Sequence, residues 1–237
     1  MAPVLILLHG PSEPLGALAP PLAAAGLALD TRLAPEPLPS NLAGYGGIVV
    51  MGGAMGVYEA DRHPFLTGEI RLLRVALERG IPVLGVCLGS QLLAAAAGAR
   101  VYRGEAGPEV GWLPVTRLAD DPWLEGWPRS FEPLSWHGDS FDLPPGARHL
   151  ASSALYAHQA FRLGSGLGLQ FHVEATAELA REWLGDPAMP SAWRPGAEQV
   201  ARCHEAATRM APLVSALGTA FARSVLAIAS GPWHPAG

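Results

Sequence analysis

The chain has 237 residues, of which 49% are hydrophobic and 16% charged, and its net charge is −5. That apolar share can fill a sizeable core and excludes wholesale disorder, and the lack of any basic run excludes an electrostatic groove for nucleic acid. All 16 basic side chains are arginine; without lysine, Schiff-base chemistry, a P-loop and a protein-kinase site are excluded.

In chain order, Val4–Leu8 is an apolar run ended by His9-Gly10-Pro11 and predicts a buried first strand. It lacks the basic flank of a signal peptide, and no stretch approaches the ~20 apolar residues of a membrane span. The expectation is a soluble, cytoplasmic protein with no membrane or nucleic-acid partner. Residues 15–25 predict a helix interrupted by Pro20-Pro21, with Gly26 placed for its C-cap. Residues 28–33 predict a second strand, and Pro35, Pro37 and Pro39 a loop. Residues 48–51 predict a strand that breaks at Gly52-Gly53. Helical spacing over residues 65–79 ends at Gly80. Residues 82–86 predict a strand that runs directly into a small-residue helix over 90–97.

This alternation predicts an α/β fold, an open and mostly parallel sheet with helices on both faces. Residues 110–117 and 147–152 predict later, antiparallel strands, and residues 164–173 carry the last apolar strand, centred on 167–171. Residues 175–229 predict helix, broken by a Pro/Gly loop over 185–196. No linker divides the chain, so one domain is expected over 1–237, with a core of about 3–176 and a helical extension of about 177–230.

The chemistry concentrates in Gly85-Val86-Cys87-Leu88-Gly89-Ser90-Gln91. Here a strand meets a helix within one residue of a cysteine flanked by glycine on both sides. That is a G-x-nucleophile-x-G elbow with Cys in the serine position. The turn is crowded, and glycine removes the Cβ atoms that would clash. A thiol at a helix N-terminus gains nucleophilic character from the dipole, and the N–H of Leu88 is free for an oxyanion. Cys87 could equally be a small buried hydrophobe at a strand end. The base must be a histidine with an orienting carboxylate. In Gln170-Phe171-His172-Val173-Glu174, period-2 alternation puts His172 and Glu174 on one side of a strand. His137, in Trp136-His137-Gly138-Asp139, competes for the role.

Other features read as structural. Cys203-His204 lacks the further ligand spacing of a metal site, and no metal or cofactor is expected. Gly164-Ser165-Gly166-Leu167-Gly168 leads into a strand, which is the wrong context for a phosphate loop. Apart from Trp136, the tryptophans, Trp183 and Trp233 among them, read as core or loop aromatics.

Together, GVCLGSQ and QFHVE resemble the class I, triad-type glutamine amidotransferases. Met51-Gly52-Gly53 is similar to that family's Gly-Gly oxyanion strand, Glu109-Val110-Gly111-Trp112 to its E-x-G-W element, and Ser135-Trp136-His137-Gly138-Asp139 to the W-x-H-G-D loop of GMP-synthase-like members. The five parts stand in family order. The resemblance implies a flavodoxin-like amidotransferase fold in which Cys87 attacks the γ-carbonyl of glutamine or a γ-glutamyl compound. His172 would be base and then acid, and Glu174 would orient it. The N–H groups of Gly53 and Leu88 would form the oxyanion hole, with Gly52 the lesser candidate. Gln91, Trp136, His137 and Asp139 would hold the amino-acid end of the substrate.

The family's H-P-E reads His172-Val173-Glu174 here, and valine keeps the extended backbone. Only 63 residues follow Glu174, too few for a synthetase domain, so the ammonia is expected to go to a separate synthetase subunit or to water. Two alternatives share the fold: a catalytically silent binding or regulatory module, and a cysteine hydrolase of the DJ-1/PfpI group. In the latter the histidine commonly follows the cysteine closely, unlike His172.

Overall fold

The structure, a computed structural model, describes residues 2–186 and 189–230. Its first part follows the expected alternation: β1 (Val4–Leu8), α1 (Ala19–Ala24), β2 (Leu29–Leu33), β3 (Gly47–Val50), α2 (Phe65–Glu78), β4 (Val83–Val86) and α3 (Leu88–Ala96). Next come β5 (Val101–Arg103), β6 (Glu109–Trp112), β7 (Val115–Arg117), β8 (Ser130–Phe131), β9 (Leu134–His137), β10 (Asp139–Phe141), β11 (Arg148–Ser152), β12 (Ala160–Leu163) and β13 (Gly166–Leu169). Three helices follow, α4 (Ala177–Leu184), α5 (Ala197–Ala201) and α6 (Cys203–Ser230).

Nine strands form one mixed sheet in the order β2-β1-β3-β4-β13-β12-β11-β7-β8. β2, β1, β3, β4 and β13 run parallel; the rest continue antiparallel. The central strands are apolar at every position because both faces are covered. Val4, Ile6, Val49, Leu84 and Val86 face one core with Leu18, Leu22, Phe221 and Val225. Leu5, Leu7, Ile48, Val50 and Val83 face the other, with Leu66, Leu73 and Leu92. β2 alternates exposed and half-buried residues, as an edge strand does.

The structure departs from the sequence reading in several places. The helix expected over 15–25 is a short 3-10 turn, Gly16–Leu18, followed by α1, and Pro20 and Pro21 lie in the first turn of α1, where a missing N–H costs nothing. The strand expected over 110–117 divides at Leu113-Pro114, and β6 pairs with β9 while β7 joins the main sheet. β13 stops at Leu169, so Gln170 to Glu174 lie beyond it. The glycine run at 164–168 is the tight β12–β13 hairpin, with Gly164 at φ +53.

α6 is long and apolar enough to cross a membrane by length and composition alone, which corrects the expectation that no such stretch exists. Its apolar positions, Cys203, Ala206, Met210, Val214, Leu217, Phe221 and Val225, recur every three or four residues and are buried in the core shared with β1 and α1. Trp233 lies outside the described residues.

The antiparallel half is pinned by one buried carboxylate. Asp121 accepts hydrogen bonds from Arg162 Nε at 2.8 Å, Arg148 Nη2 at 3.0 Å and the Trp123 backbone N–H at 2.9 Å, and the Arg162 guanidinium lies 4.1 Å above the Trp123 ring. Burial pushes the Asp121 carboxyl up, but these arginines and the backbone N–H hold it below its usual range. Asp121→Asn is therefore expected to destabilise the fold by about 3 kcal/mol or more, because it leaves Arg162 uncompensated. The native carboxylate is favoured, so its contribution is present above the unfolded carboxylate pKa of ~4 and drains as pH falls below it. Urea titrations of both proteins at pH 7 and pH 3 check this; a gap unchanged at pH 3 would contradict it.

Candidate active site

The carboxyl ends of β1, β3, β4 and β13 bring together the residues singled out in the sequence, at the edge where open α/β sheets bind ligands. Cys87 caps α3 at φ +50 and ψ −110, and it is the one non-glycine residue with positive φ among those described. α3 starts at Leu88, two residues earlier than the small-residue run suggested. The Cys87 carbonyl accepts from Ser90 Oγ at 2.7 Å, and the N–H of Leu88, first in the helix, has no intrahelical acceptor.

His172 is placed by an isolated antiparallel bridge: its N–H donates to the Leu134 carbonyl of β9 at 2.8 Å. Its Nδ1 donates to Glu174 Oε1 at 2.7 Å. Its Nε2 is buried without a hydrogen-bond partner. Burial disfavours charge on the ring, but Glu174 and the Cys87 thiol outweigh it and raise the imidazole pKa well above 6.5. The Glu174 carbonyl accepts from the Ala17 N–H at 2.9 Å. Gly16 makes that approach possible: φ is +47, and a Cβ there would stand 2.1 Å from the Glu174 oxygen.

His137, the rival candidate for the base, has its ring turned to other partners. Its Nδ1 donates to the Asp139 carbonyl at 3.0 Å and its Nε2 lies 3.1 Å from Glu109 Oε2, so both ring nitrogens are engaged. In β6–β9, Glu109 pairs with His137 and Val110 with Trp136, which joins two segments that the sequence presents separately. Burial pushes Glu109 up, but His137, Ser153 and Gln159 outweigh it and hold it below the usual carboxylate range.

A cavity of about 440 Å³ opens in front of Cys87; Gly53, Gln91, Trp136, His137 and Asp139 line it, as do Tyr58 and Arg103. The Gln91 amide donates to Gln170 Oε1 at 3.1 Å, and the Gln170 amide lies 3.7 Å from Cys87 Sγ. Asp139 accepts from the Tyr58 hydroxyl at 3.2 Å. Burial raises the Asp139 carboxyl, against the pull of Tyr58 and Arg103.

Sequence reasoning missed several neighbours. Trp183, on α4, packs edge-on to His172 at 5.1 Å and against Trp136 at 5.4 Å, and its Nε1 donates to the Ser12 carbonyl at 3.0 Å. Glu13 has a buried Oε2 without a partner. Burial, with the Glu174 charge, pushes its carboxyl above the usual range, opposed by His172 and His9. Cys203 is fully buried within the core, with Sγ 3.6 Å from the Gln199 carbonyl.

Residues 17–186 match the family model "Glutamine amidotransferase class-I". The glutamine-hydrolyzing GMP synthase of Thermomicrobium roseum is 44% identical over 132 residues, which is 54% of this chain and 23% of that protein. Its counterpart from Aeropyrum pernix is 34% identical over 157 residues, 63% of this chain and 29% of that protein. The chain thus spans about a quarter of the length of the curated relatives it matches. A glutamine amidotransferase structure from Thermotoga maritima superposes with a TM-score of 0.83 at 32% identity, covering 94% of this chain and 98% of that one. A glutamine amidotransferase from Methylobacillus flagellatus gives a TM-score of 0.85 at 28% identity, covering 94% and 95%.

Proposed function

Because the chain belongs to the class-I glutamine amidotransferase family, we propose that Cys87, His172 and Glu174 are a catalytic triad that hydrolyses a γ-glutamyl amide, either glutamine or a γ-glutamyl compound. The Cys87 thiolate attacks the γ-carbonyl carbon and forms the C–S bond. The electron pair displaced onto oxygen is held by the N–H groups of Leu88 and Gly53. As the carbonyl re-forms, the C–N bond breaks, and His172 gives its proton to the departing nitrogen, which leaves as ammonia or an amine. His172 then takes a proton from water, which attacks the γ-glutamyl thioester; the C–S bond breaks, glutamate is released, and the thiolate and the protonated imidazole are restored. Glu174 keeps the ring oriented and balances its charge.

The observation that carries this reading is the unpartnered, buried Nε2 of a glutamate-held imidazole, in contact electrostatically with a thiol on a strained elbow. Gln91, Trp136, His137 and Asp139 would bind the amino-acid end of the substrate, in keeping with their place in the cavity wall. Residues 1–237 would work as one cytoplasmic domain, with the helices after Glu174 closing the site through Trp183. Ammonia made from glutamine would pass to a synthetase subunit, in keeping with the GMP synthases among its relatives.

The test is glutamate release by the purified protein from glutamine and from a panel of γ-glutamyl peptides, with Cys87→Ala as blank. Release from at least one is expected. Turnover of the peptides and little of glutamine identifies a self-sufficient hydrolase, and turnover of glutamine alone identifies a glutaminase serving a synthetase. Silence on all of them, with Cys87 alkylated no faster than an ordinary thiol, would overturn the proposal in favour of a non-catalytic module.

A further inference from the structure

The carboxyl end of β1 carries a buried histidine–carboxylate pair that the mechanism above does not use. His9 and Glu69 are almost fully buried, and His9 Nε2 lies 2.9 Å from Glu69 Oε2 on α2. His9 Nδ1 lies 2.8 Å from the Gly52 carbonyl oxygen. A carbonyl can only accept, so Nδ1 is the donor there, and Glu69 fixes the ring from its other side.

We infer that His9, braced by Glu69, is a positioning residue that locks the Gly52–Gly53 peptide with the Gly53 N–H turned toward Cys87, so that the oxyanion hole is formed before substrate arrives. The Gly52 carbonyl and the Gly53 N–H belong to one trans peptide unit and point in opposite directions. Anchoring the carbonyl on His9 therefore aims the N–H away from His9. The reaction site adjoins this peptide: a Cβ on Gly52 would stand 2.7 Å from Glu13 Oε2, 3.1 Å from His172 Cε1 and 3.7 Å from Cys87 Cβ, and Gly53 lines the cavity with Cys87. The Gly53 N–H finds no acceptor among the described residues, as a donor reserved for a developing oxyanion requires. Two adjacent glycines have no side chains to hold their shared peptide, so without the lock it is free to turn over. The state of the ring agrees: burial opposes its charge, but Glu69 and the Gly52 carbonyl outweigh burial and raise its pKa.

The inference rests on the hydrolase reading for its catalytic consequence but not for its geometry, and the test separates the two. His9→Leu removes the donor, while His9→Asn keeps an amide N–H near the position of Nδ1. With the substrate that the native protein turns over, His9→Leu is expected to lower kcat about 10²-fold or more, the loss typical of one oxyanion donor, with KM within a few-fold. His9→Asn should restore most of the loss. Alkylation of Cys87 by iodoacetamide is a displacement at a saturated carbon and builds no oxyanion, so its rate should be unchanged in both variants. A crystal structure of His9→Leu should show the Gly52–Gly53 peptide turned over or in two orientations.

The lock is overturned if that peptide keeps its native orientation, whatever the activity. It is also overturned if His9→Leu retains kcat, or if His9→Asn is as impaired as His9→Leu while both alkylate and unfold like the native protein. A native protein silent on every γ-glutamyl amide would sink the hydrolase reading, and the crystal structure would still decide the lock.

Discussion

Replacing Cys87 with alanine is expected to lower kcat by about 10⁶-fold, and His172→Ala by nearly as much, whereas Glu174→Ala should cost only about 10⁴-fold. The ladder follows from what each group does. The thiol makes and breaks the bond to carbon, and the imidazole moves the protons. The carboxylate holds the ring through one 2.7 Å hydrogen bond and never transfers a proton itself. Because Cys87 and His172 act as a unit, the double substitution should be no worse than Cys87→Ala alone.

Glu174 has a second, independent readout. Burial would drive His172 to its neutral form, and the Glu174 charge is the largest influence opposing it. Glu174→Gln should therefore lower the imidazole pKa and shift the ring toward its neutral form. Nitrogen-15 NMR of the histidine ring measures this directly. A Glu174→Ala protein as inactive as Cys87→Ala, folded and with an unshifted His172 titration, would show that the roles are wrongly assigned.

Gly89→Ala is expected to be the most damaging single-methyl change in the molecule. A Cβ at that position would lie 2.0 Å from the Val50 carbonyl oxygen and 2.6 Å from its carbon, both backbone atoms of β3. A flexible side chain could swing aside; a central strand hydrogen-bonded on both edges cannot. α3 would have to lift off the sheet, taking with it the Cys87 elbow and the Leu88 N–H. The expected loss is about 3 kcal/mol or more, at the upper end of overpacking effects, with activity falling along with stability. Gly98→Ala provides the contrast. Gly98, unlike Gly89, has positive φ, +86, but nothing lies within 4 Å of its added methyl, so only the backbone strain of about 1–2 kcal/mol is expected. Urea midpoints for the two variants compare them, and near-equal losses would contradict the steric argument.

The candidate site lies at the carboxyl ends of successive parallel strands, and that explains what could be read in advance. Gly52-Gly53 follows β3 and Cys87 follows β4, and both stand out because glycine and a strand-to-helix junction leave a mark in the sequence. The same rule, applied to β1, would have singled out His9 and Glu13, two polar residues just past its end that sequence reasoning passed over. Trp183 left no such mark, since a helical tryptophan eleven residues beyond His172 looks like any other core aromatic.

The pairing of His172 with Glu174 was anticipated by assuming an extended strand through both. The pairing exists, but β13 ends at Leu169, and the geometry comes instead from the bridge to Leu134 and from the Gly16 turn under Glu174. Likewise, residues 110–117 read as one strand because their apolar alternation is continuous, although Leu113-Pro114 sends the two halves to different sheets.

By itself the sequence determined the local features: the apolar runs of the parallel strands, the glycines around the elbow, and the order of five family motifs. Each of these depends on residues within one turn or one strand of each other, where sterics and hydrogen-bond period act directly. Only the tertiary structure decided which distant groups meet. It set Glu109 against His137, Glu69 behind His9, and Trp183 over His172, and it turned the apolar stripe of α6 inward, onto the sheet. Those outcomes depend on how the sheet orders its strands and how the helices pack on it, and burial rewards any apolar surface equally, whatever its place in the chain.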